Sequence, residues 1–157
     1  MASTAERPLW RLVRPDFAPG LDGRGAERYG GRWNSPGLPA VYCASHLSLA
    51  VLEYFVHLPP GMRRRASLPL MVAVELRLGG GSVEVIGVDD LSRLDDLAWC
   101  RARGDDWLRR GETLALEVPS VVVPREQNVI LNPRHGAFGR VRVVSAERYR
   151  FDPRMAG

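Results

Sequence analysis

The segment 70–78, LMVAVELRL, constrains the fold more than any other part of the sequence. Apolar residues occupy every second position from 70 to 78, and Glu75 and Arg77 fall between them. Because successive side chains of a strand point to opposite faces, this alternation predicts a strand with one face buried in a core. Three glycines at 79–81 end the strand. A chain that contains such a strand has to build a sheet around it.

Other strands are predicted on both sides of this segment. They lie at residues 9–13, 40–43, 82–88, 114–123 and 141–144, the fourth as one or two strands broken at Pro119.

Two segments have a helical pattern. Residues 45–58 form a helix with Ser45 as its N-cap, and residues 89–110 form two helices separated by Gly104. The Gly- and Pro-rich segment 14–31 and the polar segment 124–136 are expected to be loops. Strands outnumber helices and are interspersed with them, which predicts an α+β fold. A length of 157 residues favours one domain over 1–157, with its core at about 9–150.

Composition excludes several kinds of protein. No apolar run is long enough for a signal peptide or a membrane span, and Cys43 and Cys100 lack metal-ligand spacing. Reduced thiols and a cytoplasmic location are therefore expected. All 22 basic residues are arginine, so no lysine can serve a Walker motif or form a Schiff base. A net charge of +4, with the run Arg63-Arg64-Arg65, leaves a nucleic-acid-binding module as an alternative.

Glu53 is the only charged residue between positions 47 and 56 of the first predicted helix. At helical spacing it shares a face with Leu49 and Ala50, so its carboxylate is expected to be partly desolvated. A buried charge is costly unless it is paired or hydrogen-bonded. Two interpretations remain open: an ion pair with Arg32 or His57, or a carboxylate held in a cleft to stabilise a developing cation.

The usual catalytic and cofactor motifs are absent. The three histidines do not combine with the cysteines at zinc spacing, and the sequence has no GxSxG elbow, P-loop or GxGxxG turn. We therefore expect no metal site. What remains is an arginine in a glycine loop, a tyrosine on a strand, the helical acid and a serine after a proline.

The segments that contain these residues resemble the RES domain family, whose members are the toxins of RES–Xre toxin–antitoxin pairs. The matching segments are LWRLVR at 9–14, GGRWNSPG at 30–37, VYCAS at 41–45, LAVLE at 49–53, VPSVVVP at 118–124 and NVILNPRH at 128–135. The resemblance implies an ADP-ribosyltransferase-like fold. It also implies cleavage of NAD+ at the nicotinamide–ribose bond by hydrolysis or phosphorolysis, or, alternatively, transfer of ADP-ribose to a protein.

The resemblance also implies roles for individual residues. Glu53 would stabilise an oxocarbenium-like ribose and hold a ribose hydroxyl, and Arg32 would bind the phosphates. Tyr42 would stack on the nicotinamide or ribose, and Ser120 would donate a hydrogen bond to NAD+ or to the Arg32–Glu53 pair. Five further residues are candidates for binding NAD+: Arg11, Tyr29, Asn34, His57 and Asn128. From the residues alone, a tyrosine on a strand such as Tyr42 is more often a core residue than a site residue, and His57 either orients Glu53 or caps the helix end.

The family also predicts what the protein works with. NAD+ is expected as substrate, without a prosthetic group. The expected partner is an Xre-type helix-turn-helix antitoxin that covers the active site, and DNA would be reached only through that partner. No interaction with a membrane is expected.

Overall fold

Seven strands of the chain pair into one sheet in the computed structural model, which describes residues 6–89 and 91–157. The strands are β1 (Leu9–Val13), β2 (Val41–Ala44), β3 (Leu70–Arg77), β4 (Val83–Val85), β5 (Ala115–Pro119), β6 (Gln127–Leu131) and β7 (Arg142–Arg150). Their order in the sheet is β4-β5-β6-β2-β1-β3-β7. The pair β4–β5 is parallel and the other neighbours are antiparallel.

Three α-helices accompany the sheet in the part of the chain that the structure describes: α1 (Arg24–Tyr29), α2 (Leu47–His57) and α3 (Leu97–Arg110). Short 3-10 turns, including Leu91–Asp95 before α3, connect the elements. The mixed sheet with few helices confirms the predicted α+β class. Residues 1–5, inside the predicted domain, and residue 90, inside the predicted helical segment, lie outside the described residues.

The predicted central strand is β3, which pairs with β1 on one side and β7 on the other. Its side chains separate as the alternation requires. Val74 and Leu76 join a buried cluster with Leu9, whereas Met71 packs under α2. We call these two sides of the sheet the opposite face and the helical face.

Both longer helices cover the helical face. Val51 of α2 packs with Leu12 and Met71, and Trp107 of α3 packs with Leu116 and Ile130. Other residues of the same strands, such as Leu9, Ala115 and Val129, point to the opposite face. Tyr42 and Ala44 of β2 therefore face the helices, and so does Asn128 of β6, which pairs with Ala44.

The expectation of a loop over residues 124–136 is wrong, because this segment contains β6. The strand lies between β2 and β5 near the middle of the sheet. Its first residues, Gln127 and Asn128, are polar, and only Val129, Ile130 and Leu131 are fully buried. Three apolar residues are too short a run to be distinguished from a loop by periodicity.

Helix boundaries also differ from the prediction. The first long helix begins at Leu47 with His46 at the N-cap position, because the Ser45 N–H still bonds to Gln127 of β6. Ser45 is therefore not the N-cap. The expected loop 14–31 contains α1. Gly104 does not separate two helices, because it lies inside the continuous helix α3.

The strands predicted at 82–88 and 141–144 exist with other limits. β4 is shorter than expected, at Val83–Val85, and β7 is longer, at Arg142–Arg150. None of the described helices is both long and apolar enough to cross a membrane.

Candidate active site

Glu53 lies on α2, and its carboxylate accepts hydrogen bonds from two neutral side chains. Its Oε1 atom accepts hydrogen bonds from Ser120 Oγ and from Asn128 Nδ2, both at 2.7 Å. Within the described residues its Oε2 atom has no hydrogen-bond partner. The carboxylate is partly buried. One oxygen therefore fixes the orientation of the group, and the other is available for a ligand.

Ser120 follows β5 directly and is fully buried. Its Oγ atom accepts hydrogen bonds from the main-chain N–H groups of Val122 and Val123, at 3.1 and 3.0 Å. Because a hydroxyl oxygen has two lone pairs and one proton, the proton is left for Glu53. The turn after β5 therefore directs the hydroxyl at the carboxylate.

Asn128 reaches Glu53 from the centre of the sheet. It pairs with Ala44 of β2 on one side and with Val118 of β5 on the other. The three side chains of the Glu53 group, defined as Glu53, Ser120 and Asn128, come from a helix, a turn and a strand. The structure thus brings together three of the predicted site residues.

The ion pairs considered for Glu53 do not form. His57 is exposed at the end of α2, and its Nδ1 atom lies 2.6 Å from the Glu53 main-chain oxygen. It therefore caps the helix end and does not contact the carboxylate. Arg32 donates to the main-chain oxygen of Leu94.

Arg32 belongs to a tight turn, residues 30–35, which we call the Arg32 loop. The Tyr42 hydroxyl donates to Asn34 Oδ1 at 2.7 Å and accepts from the Trp33 N–H at 3.0 Å. A Cβ atom on Gly31 would lie 2.6 Å from that hydroxyl, so only glycine allows this approach. Burial raises the pKa of Tyr42 well above its usual range, so the phenol stays protonated.

Asn34 is fully buried inside the same loop. Its Nδ2 atom donates to the main-chain oxygens of Ala26 and Leu38, at 2.8 and 2.9 Å. With Oδ1 occupied by Tyr42, the amide has no position left for a ligand. The geometry favours a structural role for Asn34 over the predicted contact with NAD+.

Helix α3 holds the Arg32 loop from the other side, a contact that was not predicted from the sequence. Asp105 accepts the Ser35 N–H at 2.7 Å and the Ser35 hydroxyl at 2.6 Å. A Cβ atom on Gly104 would collide with the main-chain oxygen of Trp33. Arg101 donates from Nε to the Gly31 oxygen at 3.0 Å. The one available signal was the glycine within a helical pattern.

Two predicted binding residues lie apart from these groups. Arg11 lies on the opposite face of the sheet, together with Leu9 and Val13 of the same strand. Its Nη1 atom donates to the main-chain oxygen of Tyr42. Tyr29 is 71% exposed at the end of α1, with the Arg28 guanidinium 5.2 Å from its ring. Neither side chain contacts the Glu53 group.

The Glu53 group and the Arg32 loop are neighbours on the helical face. Tyr42, which contacts the loop, lies two residues along β2 from Ala44, which pairs with Asn128. Two residues of a strand span roughly 7 Å. The side chains of Tyr42 and Asn128, which contact the Arg32 loop and Glu53, thus start from neighbouring positions on one face of the sheet.

Comparisons with known proteins identify relatives over nearly the whole chain. Residues 8–152 match the RES domain family. The chain is 36% identical to "Toxin Res" of Yersinia enterocolitica, covering 94% of this chain and 98% of the relative. It is 34% identical to the "Prs ADP-ribosylating toxin" of a Sphingobium species, covering 94% and 95%.

A solved structure has the same fold. It is the crystal structure of the M. tuberculosis MbcT–MbcA toxin–antitoxin complex, with a TM-score of 0.70 at 17% identity, covering 95% of this chain and 86% of the matched one. At this identity the similarity establishes the architecture.

Proposed function

The chain belongs to the RES domain family, and on that premise we propose that it is a toxin that cleaves NAD+ at the nicotinamide–ribose bond. The family membership and the ADP-ribosyltransferase-like α+β fold predicted from the sequence are thus confirmed. A toxin that acts on NAD+ agrees with the family and with the relatives' names. The observation that carries the proposal is the Glu53 carboxylate, fixed through one oxygen and open at the other.

The bond to be broken explains why a fixed carboxylate is useful. Nicotinamide leaves with the electron pair of the C–N bond and becomes neutral, so positive charge moves onto the ribose. An anion at that point stabilises the oxocarbenium-like transition state. Water or phosphate then attacks the anomeric carbon and gives up a proton. A preorganised group of this kind is typically worth about 10²–10³ in rate.

Ser120 and Asn128 make Glu53 suitable for this task. Their hydrogen bonds to Oε1 keep the carboxylate from rotating, so no reorganisation is needed as charge develops. Because both donors are neutral, neither offsets the negative charge of the Glu53 carboxylate. In this proposal Oε2 of Glu53 holds a ribose hydroxyl or faces the anomeric carbon.

Arg32 is proposed to bind the phosphates of NAD+. Its planar guanidinium suits bidentate contact with phosphate oxygens. Tyr42 is proposed to position the Arg32 loop through Asn34 and Trp33, since its hydroxyl is fully engaged there. The placement of Arg11 and Tyr29 supports roles away from the reacting bond.

The products of purified protein test the proposal. NAD+ labelled in the adenylate is incubated with the protein freed of any partner, with and without phosphate. Free ADP-ribose indicates hydrolysis, and its phosphorylated form indicates phosphorolysis. Glu53→Gln, which keeps an oxygen for Ser120 and Asn128, is expected to be inactive. Glu112→Gln, an exposed change, is expected to be active. Intact NAD+ with the unmutated protein would contradict the proposal.

Transfer of ADP-ribose to a protein is the second candidate. It is favoured by the name of the Sphingobium relative, an ADP-ribosylating toxin. The same site would serve, with a protein side chain in place of water. In the experiment above, label retained on a protein target and absent from small molecules would support this candidate.

An antitoxin partner is also part of the proposal. The matched structure comes from a toxin–antitoxin complex, and we propose an Xre-type antitoxin that covers the Glu53 group. Stoichiometric addition of the cognate antitoxin should then abolish NAD+ cleavage. Undiminished cleavage in a stable complex would show that the antitoxin binds elsewhere.

A further inference from the structure

We propose that Arg101 of α3 is a second anion-binding arginine, which contacts the diphosphate of NAD+ together with Arg32. This inference rests on the proposed function for the identity of the ligand. Arg101 lies in none of the segments that carry the family resemblance.

The first observation is that both guanidinium groups lack a counter-ion. Arg32 and Arg101 are partly buried, and each has a main-chain oxygen as its hydrogen-bond partner. Within residues 6–89 and 91–157, neither has a carboxylate at ion-pair distance. By contrast, Arg110 of the same helix contacts three carboxylates. A partly buried cation without a counter-ion is costly, so the pair is suited to receive an anion.

The second observation concerns the acid nearest to Arg101 on its helix. Asp105 lies one turn further along α3, where a carboxylate would ordinarily pair with the arginine. Both Asp105 oxygens are instead taken by Ser35, at 2.7 and 2.6 Å. Asp105 therefore holds the Arg32 loop through Ser35 and forms no ion pair with Arg101.

The third observation is the open geometry around the guanidinium. The bond to Gly31 uses only Nε of Arg101. Nη2 lies 3.1 Å from the position that a Cβ atom on Gly30 would occupy, and Gly30 has a φ of 73°. Gly30 therefore puts no side chain of its own between the turn and the terminal nitrogens of Arg101, and the Pro36 ring lies next to the same position, at 3.0 Å. The terminal nitrogens are free to donate to phosphate oxygens in the bidentate manner typical of arginine.

Both guanidinium groups lie near enough to Tyr42 to influence its ionisation. Burial is the main cause of the raised pKa of Tyr42 and Asp105 adds to it, whereas the hydrogen bond from the Trp33 N–H and the positive charges of Arg101 and Arg32 oppose it. Both guanidinium groups therefore act on one phenol oxygen. A diphosphate carries two negative charges on adjacent groups, which matches one guanidinium group carried by the Arg32 loop and a second that is hydrogen-bonded to it.

The experiment is a calorimetric titration of the protein with ADP-ribose, which measures the affinity. Arg101→Gln removes the charge but keeps an N–H for the Gly31 oxygen. It is expected to bind ADP-ribose about 10- to 100-fold more weakly, the usual effect of losing a charge-assisted hydrogen bond. Arg109→Gln, an exposed change on the same helix, is the matched control and should bind normally. Unchanged affinity in Arg101→Gln, or no binding by the unmutated protein, would overturn the inference.

Kinetics separate binding of the diphosphate from a general structural role. Arg101→Gln should raise KM for NAD+ and leave kcat/KM for nicotinamide riboside, which has no phosphate, unchanged. Equal losses with both substrates would mean that Arg101 only supports the fold. If Arg101→Gln does not fold, Arg101→Lys, which keeps the charge but not the fork, should bind ADP-ribose several-fold more weakly. Normal binding by that variant would count against the inference.

Failure of this inference differs from failure of the proposed function. A protein that binds ADP-ribose through Arg101 but leaves NAD+ intact would contradict only the proposed reaction. A protein that cleaves NAD+ with an unchanged KM in Arg101→Gln would contradict only the role of Arg101.

Discussion

The Glu53 carboxylate is oriented by a hydroxyl and an amide, whereas a purely structural acid would ordinarily be paired with a cation. A guanidinium at the same distance would neutralise the charge that the reaction needs. Ser120 in turn is fixed by two main-chain N–H groups, so its orientation depends on backbone and not on a mobile side chain. At the scale of single residues, the site is built to keep one charge fixed and available.

The two donors to Glu53 should differ in what their removal does. Ser120→Ala and Asn128→Ala each remove one hydrogen bond from Oε1, and each should lower kcat for NAD+ cleavage by about 10-fold or more. Ser120→Ala should also lower the free energy of unfolding by about 1–3 kcal/mol, because the Val122 and Val123 N–H groups lose their acceptor. Urea denaturation and steady-state kinetics test both effects. Wild-type kcat in both variants would contradict the role assigned to them.

Tyr42 is expected to act through the Arg32 loop. Tyr42→Phe leaves the Asn34 oxygen and the Trp33 N–H without their buried partner, which should cost about 1–3 kcal/mol of stability. Tyr29→Phe, at an exposed position, is the control and should have no measurable effect. Equal stability of the two variants in urea denaturation would show that the buried hydrogen bonds are dispensable.

The candidate residues were predictable from the sequence to different degrees. Arg32, Glu53 and Ser120 lie in short motifs, so the resemblance located them directly. The partners of Glu53 were only partly predictable. The resemblance implied a hydrogen bond from Ser120 to NAD+ or to an Arg32–Glu53 pair, but nothing in the sequence pointed to Asn128 as a partner of Glu53, and the ion pairs considered do not form. The actual partners of Glu53 are 67 and 75 residues away. Ser120 and Asn128 come together at Glu53 because β6 pairs with β5. The polar first residues of β6 led to the prediction of a loop in its place.

At the scale of elements, α3 and the Arg32 loop form one unit. Gly104 allows the helix to touch the loop backbone, Asp105 binds Ser35, and Arg101 binds Gly31. The sequence predicted the helical character of this segment but placed a break at Gly104. A glycine in a helix is usually a cost in helix propensity, and here it is explained by a contact some 70 residues away.

Loosening this unit should affect substrate binding more than chemistry. Asp105→Ala removes both contacts with Ser35 and should raise KM for NAD+ by about 10-fold, with kcat changed by less than about twofold. Asp105→Asn, which can still accept the Ser35 N–H, should restore most of the binding. Asp106→Ala, an exposed neighbour paired with Arg110, is the control. A fall in kcat at constant KM would indicate loss of folded protein instead.

At the scale of the whole molecule, one face of the sheet packs a large apolar cluster and the other carries the candidate site. The opposite face packs Leu9, Val41, Cys43, Val74 and Leu131 into one cluster. The helical face carries the Glu53 group and the Arg32 loop between α2 and α3. The alternation in 70–78 predicted the existence of such a sheet, but strand order depends on contacts between distant segments that no local pattern records.

The buried thiol of Cys43 gives this architecture a measurable pH dependence. Burial raises the pKa of Cys43 to about 11, against the opposing effect of Arg11. An unfolded thiol with its ordinary pKa of 9.0 loses its proton first. The stabilisation is therefore complete below pH 9 and is lost as the pH rises toward 11. Cys43 should therefore contribute a fall of about 1 kcal/mol in the free energy of unfolding between pH 9 and 10.

Cys43→Ala provides the comparison for that prediction. Urea denaturation of this variant should show a flatter dependence over the same interval. Burial also raises the pKa of Cys100 and Tyr42, but these groups add the same slope to both proteins and leave the difference between them unchanged. The same slope in both proteins would mean that Cys43 is not protected from ionisation by the fold.

The most direct test of the central claim is the amount of NAD+ in cells within minutes of inducing the protein without its partner. The unmutated protein should lower total NAD+ rapidly and arrest growth, whereas Glu53→Gln, expressed to the same level, should do neither. Growth arrest with NAD+ unchanged, or a fall in NAD+ of the same size with Glu53→Gln, would contradict an NAD+-cleaving site built on Glu53.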